Sequence, residues 1–184
     1  MRDAERWILD VERAGTEAGR ALAVFDGLEA VAPDEMIGRW DGRGIHTGHP
    51  LDGLLEAADW RGKAFLGPDL VHPLLVGQGG ASLDAGRIPL GLTLRLRPQR
   101  WPGAGAAIRA CRPLFATARP TARLREMRHR GRLGAAMIYD RQPIIDHFRR
   151  AGPDLLLGLM ELRGTPPLFF TLRRRAGDKS GRRP

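Results

Sequence analysis

From residue 121 onward the chain stops itself about every ten residues. Gly131, Asp140-Arg141-Gln142-Pro143, Ala151-Gly152-Pro153-Asp154 and Gly164-Thr165-Pro166-Pro167 separate the apolar segments 121–130, 132–140, 143–150, 154–162 and 167–173. Segments of strand length with a turn signal after each predict an antiparallel meander. Joining such a meander to strands from the first half removes exposed sheet edges, which favours a barrel or half-barrel. With 24 glycines and 14 prolines among 184 residues, the chain is also too interrupted for a helical bundle.

The first half supplies the other elements. Residues 3–29 carry Trp7, Ile8, Val11, Ala14, Ala21, Val24, Phe25 and Leu28 at helical spacing, weakened at Gly15 and Gly19, so two helical pieces are expected. In 37–45 the period changes to two, with Gly38, Trp40, Gly42 and Gly44 on one face. Pro50 and the stripe Leu51, Leu54, Leu55 and Ala58 predict a short helix over 49–59. Segments 61–67 and 70–76 read as short strands or loops, 77–86 as a glycine-rich connection, and 101–112 as a weakly helical or irregular link. Alternation of Ile88, Leu90, Leu92, Leu94 and Leu96 with Pro89, Gly91, Thr93, Arg95 and Arg97 predicts a strand over 88–97. The expected fold is α+β, mainly β, with a calycin-like antiparallel barrel or half-barrel. The expected layout is a helical segment over 1–32, one barrel-like domain over 33–173 and a basic disordered tail over 174–184.

The net charge of +9 is concentrated in two blocks. Residues 119–132 hold six arginines against Glu126, and 173–184 hold five arginines and Lys179 against Asp178. No helix-turn-helix, zinc-finger or RNP-type signature accompanies them, so no specific nucleic-acid partner is expected. Cys111 is alone, which excludes an internal disulfide and a four-cysteine metal site. The first fifteen residues carry four acids and no signal-peptide core, and no apolar run reaches membrane-spanning length. A cytoplasmic protein is expected.

Gly38-Arg39-Trp40-Asp41-Gly42 matches G-x-W-x-G literally. With the downstream GHPLDGLLEAADWRGKAF it resembles the bacterial GXWXG-domain proteins. ARPTARLREMRHRGRLGAAMIYDRQPIIDHFRR, followed by LLLGLMELRG, resembles the domain of unknown function that follows GXWXG in that family. The two parts fall at about 33–98 and 112–173. Gly38, Trp40, Gly42 and Gly44 are also distantly similar to the G-x-W-x-G-x-G of nitrobindin-like barrels, relatives of lipocalins. That likeness implies a small barrel holding an apolar ligand or haem.

Several residues are candidates for chemistry. Trp40 reads either as a plug at the closed end of a barrel or as a ligand-contacting wall. His46 and His49, three apart, would need a third metal ligand such as Asp52, His129 or His147, and nothing in the sequence brings these together, so no metal is expected. If 143–149 is a strand, Asp146 and His147 face opposite sides, so only one can enter a cavity. Asp140, Asp146 and His147 are the candidate acids or bases, with Tyr139 close to the same mouth. Arg123 and Arg149 are candidate clamps for a ligand carboxylate.

Two functions compete. The first is binding of a small hydrophobic molecule, fatty acyl, terpenoid or polyketide-like. The second is a cofactor-free isomerase, cyclase or lyase acting in the same cavity. Haem is a lesser alternative, and no other cofactor is expected. The helical stripe over 3–29 must rest on something, with one barrel mouth or a second copy in a homodimer as the options.

Overall fold

The computed structural model describes residues 2–177. Helices α1 (Arg2–Ala14) and α2 (Ala18–Gly27) are separated at Gly15, whose φ is +71°. A Cβ there would lie 2.8 Å from the His46 carbonyl oxygen, so glycine serves both the turn and the close approach. The chain continues through β1 (Glu29–Ala30) and a 3-10 turn, Asp34–Met36, into β2 (Gly38–Ile45). Helix α3 (Leu54–Ala57) is followed by β3 (Trp60–Gly67), β4 (Leu70–Val76) and β5 (Ala81–Ser82). A helical excursion, α4 (Leu90–Leu96), α5 (Ala104–Ala110) and α6 (Arg112–Phe115), precedes the meander. That meander is β6 (Ala122–His129), β7 (Arg132–Tyr139), β8 (Ile144–Gly152), β9 (Leu155–Leu162) and β10 (Leu168–Arg174).

The strands close on themselves. Neighbours run β8-β7-β6-β4-β3-β2-β10-β9, and β9 pairs back onto β8, making an antiparallel barrel of eight strands. β1 and β5 are short additions, one beside β8 and one beside β4. The seam between β4 and β6 is the narrowest, with one registered pair, Val71 and Ala122. Closure therefore joins the GRWDGRG strand to the meander, as the turn spacing predicts.

Segment 88–97 corrects the expectation of a strand. It is α4, with Leu90 and Leu94 packed on the core and Leu92 and Leu96 exposed. Every second leucine satisfies a two-residue period, but Leu90 and Leu94 equally satisfy a helical one. Within Leu90–Leu96 leucine and arginine favour the helix, and only Gly91 and the β-branched Thr93 oppose it. The expected connection over 77–86 also contains the strand β5, and 49–59 shortens to turns followed by α3.

Two apolar compartments result. Inside the barrel lie Trp40, Phe65, Met137, Phe148, Leu156 and Phe170, among others. Outside, α1 and α2 cover the wall formed by Ile45, Ala151, Leu157, Leu159 and Phe169. Ile8, Val11 and Phe25 are buried there, so the helical stripe rests on the barrel wall and not on a mouth. The stripe that suggested a homodimer is occupied within its own chain. Of the basic segment 173–184, Arg173 and Arg174 complete β10, Arg175 bonds Asp41, and the rest of the expected disordered tail from 178 lies outside the described residues. No helix among the described residues is long and apolar enough to cross a membrane.

Candidate functional site

The barrel is packed at one end and hollow at the other. At the packed end, Trp40 donates its indole N–H to the Met36 carbonyl at 2.8 Å, and the Arg174 guanidinium lies 4.1 Å above its ring. Trp40 is buried in the interior core and absent from the cavity wall, so it plugs. The motif glycines make room for a different ring. A Cβ on Gly42 would sit 2.2 Å from the Trp60 indole, which fills that space from β3.

The hollow end holds a cavity of about 90 Å3. Its wall is apolar, with Leu51, Trp60, Leu74, Ile144, Met160 and Phe170 among the lining residues, but Lys63, Tyr139 and Asp146 break it. Lys63 Nζ lies 2.8 Å from Asp146 Oδ2, and the two side chains are 3% and 1% exposed. Lys63 also donates to the Pro73 carbonyl at 3.3 Å and to the Tyr139 hydroxyl at 3.5 Å. Its ammonium sits 4.9 Å from the Phe170 ring centre and 5.4 Å from that of Trp60. An ammonium enclosed by a carboxylate, a carbonyl and ring faces is a satisfied buried cation.

Topology explains how these residues meet. Between β3 and β8 stand β7, β6 and β4 in one direction and β9, β10 and β2 in the other, so the ion pair spans opposite walls. A regular strand would send Trp60 and Lys63 to opposite faces, because they are an odd number of residues apart. Register shifts around Gly62 change that. Trp60 pairs with Val76 and Gly62 with Leu75, a bulge that lets both Trp60 and Lys63 point inward. Gly62 has φ +136°, and a Cβ on it would lie 1.8 Å from the Trp40 carbonyl oxygen. No other residue fits there.

Burial pushes the Asp146 carboxyl above its ordinary range, with the Lys63 charge and hydrogen bond pulling the other way. Burial, reinforced by the Asp146 charge, holds the Tyr139 hydroxyl well above its usual value. Among the described residues, neither Asp146 Oδ1 nor Oδ2 has a well-aligned hydrogen-bond partner, and Oδ2 is held by the Lys63 ion-pair contact.

The excursion over 85–116 roofs this end. Gln142 donates to the carbonyls of Ala85 and Ile88 at 2.8 and 3.1 Å, and Gln99 to that of Pro50 at 2.8 Å, which ties the cap to two barrel loops. Beneath it runs an apolar groove of about 380 Å3, lined by Leu83, Ala107, Ile108, Leu114 and Phe115, among others. Cavity and groove share Leu54, Leu55, Trp60, Leu74 and Ile88 as walls. The small cavity alone falls below the usual range of ligand pockets, roughly 300–1,000 Å3, whereas the adjoining groove lies within it.

The remaining candidates go elsewhere. Asp140 is paired with Arg123 at 2.8 Å on the surface, away from the cavity wall. Arg149 is buried on the outer side, donating to the carbonyls of Phe148 and His129 and resting 4.8 Å from the Phe25 ring centre. Neither arginine enters the cavity, so the expected carboxylate clamp is not assembled there. His49 is buried and accepts from the Leu51 amide through Nδ1, while His46 faces Glu56.

His147 faces outward, under the helices. Its ring stacks on that of His129 at 3.7 Å with 10° between planes, and Nε2 lies 3.3 Å from Glu161 Oε2. His129, His147 and Glu161 each offer a ligand atom within 4.8 Å of the others. Stacked rings aim their in-plane lone pairs in parallel, so a shared metal ion would require one ring to turn. Burial and then the neighbouring His129 push the His147 pKa down to about 4, keeping it neutral.

Lys63 was not legible as a site residue from strand parity. A compositional signal for it exists. Of the chain's 30 basic residues only Lys63 and Lys179 are lysines, and Lys63 lies between Trp60 and Phe65. A compact ammonium fits a space that a planar guanidinium would overfill.

Fold and site define a closed antiparallel barrel with a capped apolar cavity that contains one buried ion pair. The profile of the GXWXG protein family matches residues 23–80, and that of a domain of unknown function, DUF4334, matches 120–174. A crystal structure of a protein from Thermomonospora curvata is similar, with 34% identity and a TM-score of 0.65 over 94% of this chain and 99% of that one. No curated protein matches. The chain belongs to the GXWXG family. Most of the cap falls between the two matched segments, whereas Lys63 lies in the first and Tyr139 and Asp146 in the second. The ion pair therefore joins the two parts.

Proposed function

We propose that this protein binds a small hydrophobic molecule at the capped end of its barrel, with the polar end of the ligand at Lys63, Tyr139 and Asp146. The observation that supports this most is the apolar cavity beside the buried pair, continued by the groove beneath the cap. Closed barrels of eight strands are of a size to hold one small ligand. Terpenoid and polyketide-like molecules suit the wall better than free fatty acids, because among the described residues no arginine lines the cavity to neutralise a carboxylate. For haem, the cavity wall offers no histidine. A single exposed Cys111 fits a reducing, cytoplasmic setting.

A catalytic reading draws on the same carboxylate. Asp146, raised in pKa by burial, is a candidate acid or base for a cofactor-free isomerase, cyclase or lyase. A carrier returns its ligand unchanged. An enzyme converts it, and Asp146→Asn then stops the conversion.

The test is native mass spectrometry of protein purified without added ligand, followed by titration with the fluorescent apolar amine 1-aminoanthracene. Saturable one-to-one binding, abolished in Leu74→Trp, is expected because Leu74 lines both cavity and groove. Absence of saturable binding overturns the proposal, and so does equal binding by a folded Leu74→Trp variant.

A further inference from the structure

The polar end of the cavity carries a chemical specification for the ligand. Lys63 has three partners, an ion-pair contact with Asp146 Oδ2 and hydrogen bonds to the Pro73 carbonyl and the Tyr139 hydroxyl. Asp146 Oδ2 stands in ion-pair contact with Lys63, and among the described residues neither carboxylate oxygen has a well-aligned hydrogen-bond donor. Asp146, a cavity-lining residue, therefore keeps acceptor capacity, most of all on Oδ1, which the ion-pair contact does not use. Tyr139 accepts from Lys63, and among the described residues its hydroxyl makes no hydrogen bond as a donor, so its own proton is available to give. The site therefore offers one acceptor and one donor, side by side in an apolar hollow. A buried acceptor without a partner is costly, which makes its satisfaction a source of affinity and of discrimination.

We infer that the ligand is an apolar alcohol or phenol whose hydroxyl donates to Asp146 Oδ1 and accepts from Tyr139. A hydroxyl is the smallest group that does both. A carboxylate finds the Lys63 charge already paired with Asp146, so it loses its hydration in the apolar hollow without gaining a counter-ion of its own. An ether or ester satisfies Tyr139 and leaves Asp146 Oδ1 bare. A hydrocarbon satisfies neither. This inference rests on the carrier reading above and narrows it from hydrophobic molecules in general to those that end in a hydroxyl.

Three probes of matched length distinguish these cases by displacement of 1-aminoanthracene at pH 7: decan-1-ol, methyl nonyl ether and decanoate. Decan-1-ol is expected to bind at least about tenfold more tightly than the ether, and decanoate more weakly than both. In Tyr139→Phe, which removes only the donor, the alcohol is expected to lose about three- to tenfold and the ether no more than that. In Lys63→Met/Asp146→Leu, which replaces the pair by apolar groups, the preference for the alcohol over the ether falls below about threefold. An ether equal to the alcohol, or decanoate competing as well as the alcohol, overturns the inference and leaves the carrier reading standing. Failure of all three to displace a bound probe overturns the inference also. Failure of 1-aminoanthracene itself to bind overturns the carrier reading, and with it this narrower one.

Discussion

Asp146 and His147 are consecutive residues of one strand, both almost wholly buried, and they belong to different worlds. Asp146 enters the barrel, meets Lys63 from the opposite wall, and keeps unused acceptor capacity beside a cavity. His147 enters the layer between barrel and helices, where His129, Glu161 and close apolar packing occupy its surroundings. Alternation makes the separation unavoidable. The same burial therefore does opposite things. Inside, it creates an ion pair facing empty space. Outside, it holds a neutral imidazole in a filled one. The comparison teaches that burial alone does not mark a site, whereas a buried charge beside unfilled volume does.

The comparison breaks most sharply at Lys63. Removing one partner of a buried pair leaves an uncompensated charge, so Lys63→Met is expected to cost about 3–5 kcal/mol in urea unfolding. Lys63→Met/Asp146→Leu should recover most of that loss. A Lys63→Met protein as stable as wild type would mean that Asp146 carries no charge in the fold.

Next in size is Gly42→Val. Its Cβ falls inside the space of the Trp60 indole, so the ring must move towards the cavity. Overpacking of this kind costs about 1–3 kcal/mol. Probe binding should fall with it, as measured by fluorescence titration.

The outer compartment is tested by pH. The His147 pKa is depressed from 6.5 to about 4 in the fold, so the unfolded chain takes up a proton that the native state refuses. Its stabilising contribution is complete above the unfolded value and is lost as pH falls towards 4. Between pH 7 and pH 5 the loss is roughly 1–2 kcal/mol in denaturant midpoints, and His147→Phe should flatten it. An unchanged slope in that variant would assign the effect to another group.

Arg123→Ala is the smallest perturbation. Its pair with Asp140 is exposed, so stability should change by less than about 0.5 kcal/mol and probe binding not at all.

Much of this architecture was readable from turns and periods. Gly131 and Gly164 adopt positive φ in the turns after β6 and β9, Pro143 and Pro153 fall in the turns that flank β8, and Gly15 divides the leading helices with a positive φ of its own. The cap was not readable at α4, where one leucine pattern satisfies both periods and tertiary packing decides. Of the site, the alternation of Asp146 and His147 was legible, but not which of them turns inward. That depends on the direction in which β8 curls, a property of the closed sheet. Lys63 was hidden by the bulge at Gly62, which breaks the parity that sequence reasoning assumes. The meeting of His129 with His147 was equally hidden, since β7 stands between their strands.

Crystals grown with 10-bromodecan-1-ol would test the central claim most directly, because the anomalous signal of bromine reports where the far end of the chain lies. With the hydroxyl at Asp146, the account places the bromine beneath the cap, in the groove lined by Leu83 and Ile108. A bromine peak on the outer wall beside α1 and α2, or no peak within the protein, would contradict it.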